Sequence, residues 1–243
     1  MQAIDGTMTE NVRRKSDSKA SCFVICGVDA WANASGALYL PSEQALVVAD
    51  LHFEKGSAFA ARGQLLPPYD TAATLAKLAA AIAHHAPRLV IALGDSFHDR
   101  RAGERMAAVD QQALGALMSG RNWVWIAGNH DPEIPAGLGD MQNSLLLNGL
   151  VFRHEPVKGL SPGEIAGHLH PAARVVSRSG SVRRRCFVTD GQRCVLPAFG
   201  AFTGGLNFRS PAFGGMFGKT AITAHVISNG SVYAVPEENC AED

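Results

Sequence analysis

Five apolar runs in this chain each end in a cluster of histidine, carboxylate or amide side chains, and this repeated arrangement constrains the fold more than any other feature. The runs are ALVVAD, LVIALGD, WVWIAGNHD, GLVFRH and EIAGHLH. They close at Asp50-Leu51-His52, Gly94-Asp95, Gly128-Asn129-His130-Asp131, His154 and Gly167-His168-Leu169-His170. Each run reads as a buried strand, and RLVIALGD in particular as one covered on both faces. Strands that end this way can gather their polar tips on one rim of a sheet. Oxygen and imidazole donors together suit two divalent cations better than one.

The spacing between the runs points to an α/β fold. Short strands are expected at 22–28 and 36–40, and a buried one at 45–50. Pro67-Pro68 precedes an alanine-rich helix from Tyr69 to His85, with Leu75, Leu78, Ala79 and Ile82 at helical spacing and Pro87 as its stop. A second helix is expected over 104–119, with Met106, Val109, Ala113, Leu114 and Leu117 as its apolar stripe. The β–α–β–α–β order implies parallel central strands. The second half differs in character. Its short strands, near 143–147, 150–154, 164–168, 172–177, 184–188, 193–197, 221–227 and 231–235, are split by Gly, Pro and Ser, as a second, mixed or antiparallel sheet requires. Residues 1–20 offer little to bury and read as a flexible tail, leaving 21–243 as a single domain.

Composition excludes several classes. Lys plus Arg and Asp plus Glu number 22 each, so overall charge selects no polyanion, although a local basic patch remains open. The five cysteines are odd in number and irregularly spaced, which argues for reduced thiols over a structural zinc site. No apolar run approaches the ~18 residues of a membrane span, and the polar N-terminus lacks the long apolar core of a signal peptide. The expected location is the cytoplasm, with no membrane partner.

The clusters divide the chemistry among themselves. In Asp50-x-His52 and His168-x-His170 the paired side chains share a face if the backbone is extended. Asp95 can bridge two cations through its two oxygens. Asn129 offers a neutral carbonyl ligand, and His154 a further imidazole. His130, beside Asn129, is placed to give or take a proton or to stabilise a phosphoryl oxygen, with Asp131 able to orient its ring. Two cations a few ångströms apart hold a phosphoryl group and lower the pKa of the water between them, which then attacks phosphorus in line as hydroxide.

The order DxH, GD, GNH[DE], H, GHxH from Asp50 to His170 resembles the calcineurin-like metallophosphoesterases. The resemblance implies a four-layer α/β/β/α sandwich of two mixed β-sheets flanked by helices. It places Asp50, His52 and His170 on a first metal, Asp95 as the bridge, and Asn129, His154 and His168 on a second. His130 becomes the catalytic imidazole, with Asp131 behind it. Where many relatives continue GDxxDR, this chain reads Gly94-Asp95-Ser96-Phe97-His98-Asp99-Arg100, so His98 stands at the aspartate position and Asp99-Arg100 is displaced by one.

Longer phrases, among them ADLHFEKGSAFAARGQLLPPYDT, IAGHLHPAARV and LPAFGAFTGGLN, are similar to the bacterial ligase-associated DNA-damage-response endonucleases. These are manganese-dependent phosphodiesterases encoded with a helicase and a DNA ligase. The similarity implies a single-strand DNA endonuclease in DNA repair with Mn2+ as cofactor. The ligand types also admit Fe or Zn. Arg62, Phe97, His98 and Arg100 are candidate substrate contacts, with Lys55 beside them. Phe53, Phe97, Phe199 and Phe202 are either core residues or stacking platforms. The arginines at 174, 178, 183–185 and 193 either track a phosphate backbone or face solvent. Two other functions stay open on the residues alone: the same site acting on nucleotides or other small phosphoesters, and a non-catalytic protein-binding scaffold.

Overall fold

The computed structural model describes residues 20–64, 69–131, 133–135, 137–178, 180–218 and 220–243. The expected tail, apart from Ala20, and Pro67-Pro68 lie outside the described residues.

Two sheets form the body. The first contains β1 (Ser21–Ile25), β2 (Val28–Ala32), β3 (Leu38–Leu40), β4 (Ala45–Ala49), β5 (Leu89–Leu93), β6 (Asn122–Ile126) and β7 (Met141–Gln142), hydrogen-bonded in that order. Pairing is antiparallel from β1 to β4 and parallel from β4 to β7. The β4–β5 and β5–β6 joints are made by helical crossovers. These are supplied by α1 (Lys55–Ala60) and α2 (Asp70–His85) before β5, and by α3 (Ala102–Arg105) and α4 (Ala108–Met118) before β6.

The second sheet contains β8 (Ser144–Leu147), β9 (Leu150–Arg153), β10 (Glu164–Ala166), β11 (Pro171–Ser177), β12 (Gly180–Thr189), β13 (Cys194–Val195), β14 (Leu206–Asn207), β15 (Thr223–Ser228), β16 (Ser231–Pro236) and β17 (Cys240–Ala241). Its main path runs β14-β11-β12-β13-β10-β9-β8, mixed in direction, and β15, β16 and β17 branch from it.

The period-2 alternation of β4 and β5 divides their side chains between two cores. Ala45, Val47, Ala49, Ile91 and Leu93 pack between the sheets with Leu150, Phe152, Ile165 and Phe187. Leu46, Val48, Val90 and Ala92 face the helices, against Leu75, Leu78 and Ile82 of α2. A third core backs the second sheet, where Val188 and Val195 meet Phe208, Phe213 and Met216. On that side the outer layer is helix-poor, a loop carrying one 3-10 turn at Pro211–Phe213. Among the described residues no helix is long and apolar enough to cross a membrane.

The helix expected over 104–119 is two helices. Met106 and Ala107 are extended, with ψ of 124° and 144°. Gln111 donates to the carbonyls of Gly103 and Met106, which holds the break. Within α4 only Leu114 is buried, and Val109 is 69% exposed, so the expected stripe is narrower than its spacing suggested. In α2 the buried set includes Leu75, Leu78, Ala81 and Ile82, with Ala79 half-buried. Ala86 ends that helix in the left-handed region ahead of Pro87.

A buried ion pair fastens the second sheet. Arg193 is fully buried, and its Nε lies 2.7 Å from Glu164 Oε2. Its other nitrogens donate to Met216 O at 2.8 Å and Val157 O at 3.0 Å. Arg193→Met leaves the buried Glu164 carboxylate with Arg153 as its remaining cation, at 3.2 Å. The expected loss is about 3–5 kcal/mol of unfolding free energy, read by urea denaturation. A loss below about 1 kcal/mol would mean that Arg153 alone compensates the charge.

Candidate metal centre

The ends of β4 and β5 do not fray. Beyond the last paired strand residues, Asp50 N–H donates to Gly94 O (3.2 Å), His52 N–H to Asp95 O (2.9 Å) and Phe53 N–H to Ser96 O (2.8 Å). The two loops therefore leave the sheet side by side. Asp50, His52, Asp95, His168 and His170 all take positive φ, at 54°, 46°, 46°, 68° and 46°. This corrects the expectation of extended backbone in the two paired motifs: the side chains converge through left-handed turns. Asp, Asn and His enter that region more readily than other side chains, and such conformations concentrate at functional sites.

Two groups of donors result. Asp50, His52 and His170 each offer an atom within 4.8 Å of the others, and so do Asp95, His154 and His168. His170 Nε2 lies 3.2 Å from Asp50 Oδ1, and His154 Nε2 lies 3.4 Å from Asp95 Oδ1. The groups adjoin: His154 Nδ1 is 3.8 Å from Asp50 Oδ1, and the His168 amide donates to Asp50 Oδ2 at 3.0 Å.

The local chemistry fits cations. His154 Nδ1 donates to Leu93 O at 2.9 Å, and its Nε2 faces His168 Nδ1 across 3.1 Å and Asp95 Oδ1 across 3.4 Å. A shared proton or a cation beside both nitrogens satisfies this pair. His52 Nδ1 is buried and has no hydrogen-bond partner among the described residues. Oxygen and imidazole donors together match divalent ions of the Mn, Fe or Zn kind.

Charge is tightly coupled across the rim. Burial lowers the His52 pKa to about 4, against the opposing pull of Asp50 and Asp95. Burial also disfavours a charged His154, but its hydrogen bond to Asp95 and the charge of Asp50 outweigh this and raise it to about 9. Asp95 is pushed up by burial, yet its bond to His154 holds it well below the usual carboxylate range.

His130 sits at the open edge. Its backbone N–H donates to Asp95 Oδ1 at 2.9 Å, and its Nδ1 contacts His98 O at 3.0 Å. A carbonyl can only accept, so Nδ1 carries the proton and Nε2, 3.9 Å from Asp95 Oδ2, faces the donor groups. The ring stacks on His98 (centroids 5.3 Å apart, 25° between planes) and meets His52 edge-on.

Asp131 does not orient this imidazole. It is buried, and its Oδ2 accepts from the amides of Ser96 (2.7 Å) and Phe97 (3.0 Å), tying the two loops together. Burial raises its pKa to about 7. Asn129 is exposed beside His130. The neighbouring Gly128 is required by space: a Cβ there would lie 2.1 Å from Asp95 N and 2.3 Å from its Oδ1.

The candidate substrate contacts separate. His98 is half-buried against His130, and the charge of Arg62, itself exposed, reaches it. Phe97 is a core residue, 1% exposed between Phe53 and Trp125, and offers no face to a substrate. Arg100 lines a separate cavity with Met106, Leu114, Ile134 and Leu138. Asp99 is held through both oxygens by Arg105 at 2.9 Å, which fixes the loop behind His98.

The arginine cluster disperses as well. Arg193 is buried, and Arg185 donates to Ala198 O. Arg174 and Arg183 bond Glu242 O and the Asp243 carboxylate, while Arg178 and Arg184 are exposed.

Glu54 belongs to the site's support, although its sequence context did not single it out. It is buried, bonded to Ser57 and Thr71, and with Asp70 on the Gly56 amide it locks α1 against α2 beneath the rim. Its signal is its place, two residues after His52, with Asp70-Thr71 opening the next helix.

Residues 44–190 match the family model described as calcineurin-like phosphoesterase. Among solved structures, the nuclease MPE of Pseudomonas putida is 30% identical in sequence, with a TM-score of 0.66, covering 89% of this chain and all of that one. Yfce, a phosphoesterase from Escherichia coli, is 13% identical with a TM-score of 0.39, covering 79% of this chain and 97% of that one. A comparison with curated protein sequences finds no match.

Proposed function

Because the chain belongs to the calcineurin-like phosphoesterases, and is therefore a metal-dependent phosphoesterase, we propose that its substrate is DNA and that it cuts single strands internally. The observation that carries this reading is the pair of adjoining Asp/His groups at an open rim, in a chain whose structural relative is a nuclease. Asp50, His52 and His170 would hold one cation, and Asn129, His154 and His168 the second, with Asp95 available to both. Two such cations supply Lewis acidity and a water of lowered pKa. Manganese is the metal of choice on the sequence resemblance. That resemblance also suggests a role in DNA repair with a helicase and a DNA ligase as companions, while a single domain over 21–243 behind a short tail and a cytoplasmic location rest on the sequence pattern.

The residues of the chain divide the remaining work. Asp95 keeps the His130 backbone in place through its amide. The His98 carbonyl holds the His130 proton on Nδ1, so Nε2 points at the reacting phosphate. In its protonated form Nε2 donates to a phosphoryl oxygen or to the departing sugar oxygen.

Metal-stripped protein given manganese is expected to linearise circular single-stranded DNA, and His130→Ala to leave the circle intact. A circle has no ends, so cutting establishes internal cleavage. An intact circle beside continued hydrolysis of an aryl phosphodiester would move the substrate to small phosphoesters or to DNA ends.

A further inference from the structure

The segment from Phe199 to Leu206 straps the Asp50/His52/His170 group. At one end Phe199 N–H donates to Ala49 O (2.7 Å) and Gly200 N–H to Asp50 O (3.0 Å). At the other end Leu206 N–H donates to His170 O at 3.0 Å. Both ends approach without room for a side chain: a Cβ on Gly200 would lie 2.2 Å from Leu51 O, and one on Gly205 2.8 Å from His170 O.

Side chains from the helical layer hold the strap between these anchors. Lys77 donates to Phe199 O and sits 4.1 Å above its ring. Thr74 Oγ1 accepts from the Ala201 amide at 2.9 Å. Lys55 donates to Phe202 O at 3.0 Å.

Phe202 gains little from this construction. Its side chain is 52% exposed, and its backbone takes a φ of 57°. A bulky aromatic in the left-handed region is strained, and strain of this kind persists only where surrounding contacts enforce it. Its three aromatic counterparts, Phe53, Phe97 and Phe199, are fully buried. Phe202 is two residues from Gly200, so their Cα atoms are at most about 7.6 Å apart, and Gly200 is bonded to Asp50. Basic side chains share this side: the charges of Lys55 and Arg62 both reach His98, and Phe59 lies 5.7 Å from the His98 ring. An exposed aromatic beside a phosphate-handling centre and two cations is what a single-stranded nucleic acid needs, a stacking surface next to a charged track.

We propose that Phe202 is a substrate-binding residue, on which a nucleobase flanking the scissile phosphate stacks. The inference rests on the DNA phosphodiesterase reading and names the contact by which that substrate is held.

The test compares wild type, Phe202→Ala and Phe202→Trp on three substrates with manganese: a single-stranded oligonucleotide, the same backbone with abasic residues in place of bases, and an aryl phosphodiester. Loss of one stacked base is expected to raise KM for the base-bearing strand at least about fivefold in Phe202→Ala, with kcat nearly unchanged. Tryptophan should restore it, and the abasic strand should not distinguish alanine from wild type. Equal KM values on base-bearing DNA would overturn the assignment of Phe202 alone. An equal loss on base-bearing and abasic strands would overturn it too, because the strap would then act only through its shape. A wild type that hydrolyses the aryl diester and neither DNA would overturn the DNA reading itself.

Discussion

His130→Gln is expected to lower kcat by about two to four orders of magnitude, on DNA and on an aryl phosphodiester alike, while two cations per chain stay bound. The attachments of this residue are separable. The hydrogen bond between His130 and Asp95 is made by the backbone N–H, so glutamine keeps it and loses only the 3.9 Å approach of Nε2 to Asp95 Oδ2. What glutamine lacks is a nitrogen that can change protonation state at the position of Nε2. The ring is aimed from behind by the His98 carbonyl, which no side-chain substitution at residue 98 removes. His98→Ala therefore loses the stacked ring but keeps the orienting bond, and its effect on kcat should be much smaller than that of His130→Gln. Steady-state kinetics with metal analysis on the same preparations check both statements. Full turnover in His130→Gln would remove the imidazole from the chemistry. Loss of cations in that variant would mean that the ring is a ligand and not a proton donor.

The sequence carried the rim because its signal is local. A β-branched run followed at once by Asp, Asn or His states both that a strand ends and what stands at its end. This is why the donors could be named one by one, while their division into two groups came from the family resemblance that the motif order carries. The two central parallel joints were legible for a related reason: β4 and β5 are buried on both faces and read as unbroken apolar runs.

What failed depended on partners distant in sequence. Nothing near Asp131 says that its carboxylate will take the amides of Ser96 and Phe97, 35 and 34 positions away. Phe97 lies next to polar residues, yet the Phe53 and Trp125 rings close over it. The arginines looked like one patch because they are close in sequence. On paired strands, however, Arg174 and Arg183 lie opposite each other, while Arg193 turns inward to Glu164. The break between α3 and α4 has no Gly or Pro at its extended residues, Met106 and Ala107. Helical periodicity ran through it unmarked.

Asp95 is where the two donor groups and the His130 imidazole meet, so its conservative replacement by asparagine should have the other large effect. The carboxylate accepts the His130 amide at 2.9 Å, faces His154 Nε2 at 3.4 Å and lies 3.9 Å from His130 Nε2. Its backbone carbonyl separately holds the His52 amide. Asparagine preserves the backbone contacts and one oxygen, but it puts an NH2 donor where the second oxygen was and removes the buried charge that balances the imidazoles and their cations. The group of Asp50, His52 and His170 keeps its own carboxylate. The expected result is one cation per chain instead of two, with activity at background.

Stability reports the same loss without reference to activity. At a metal concentration about a hundredfold above each dissociation constant, two sites stabilise the native state by about 5 kcal/mol and one site by about 3 kcal/mol. The manganese-induced rise in melting temperature should therefore fall by roughly half in Asp95→Asn. His170→Ala, which acts on the other group, should produce a similar fall by itself. Two cations bound with an undiminished thermal shift in Asp95→Asn would show that the second site is completed without this carboxylate, and Asp95 would then be a support for His130 alone.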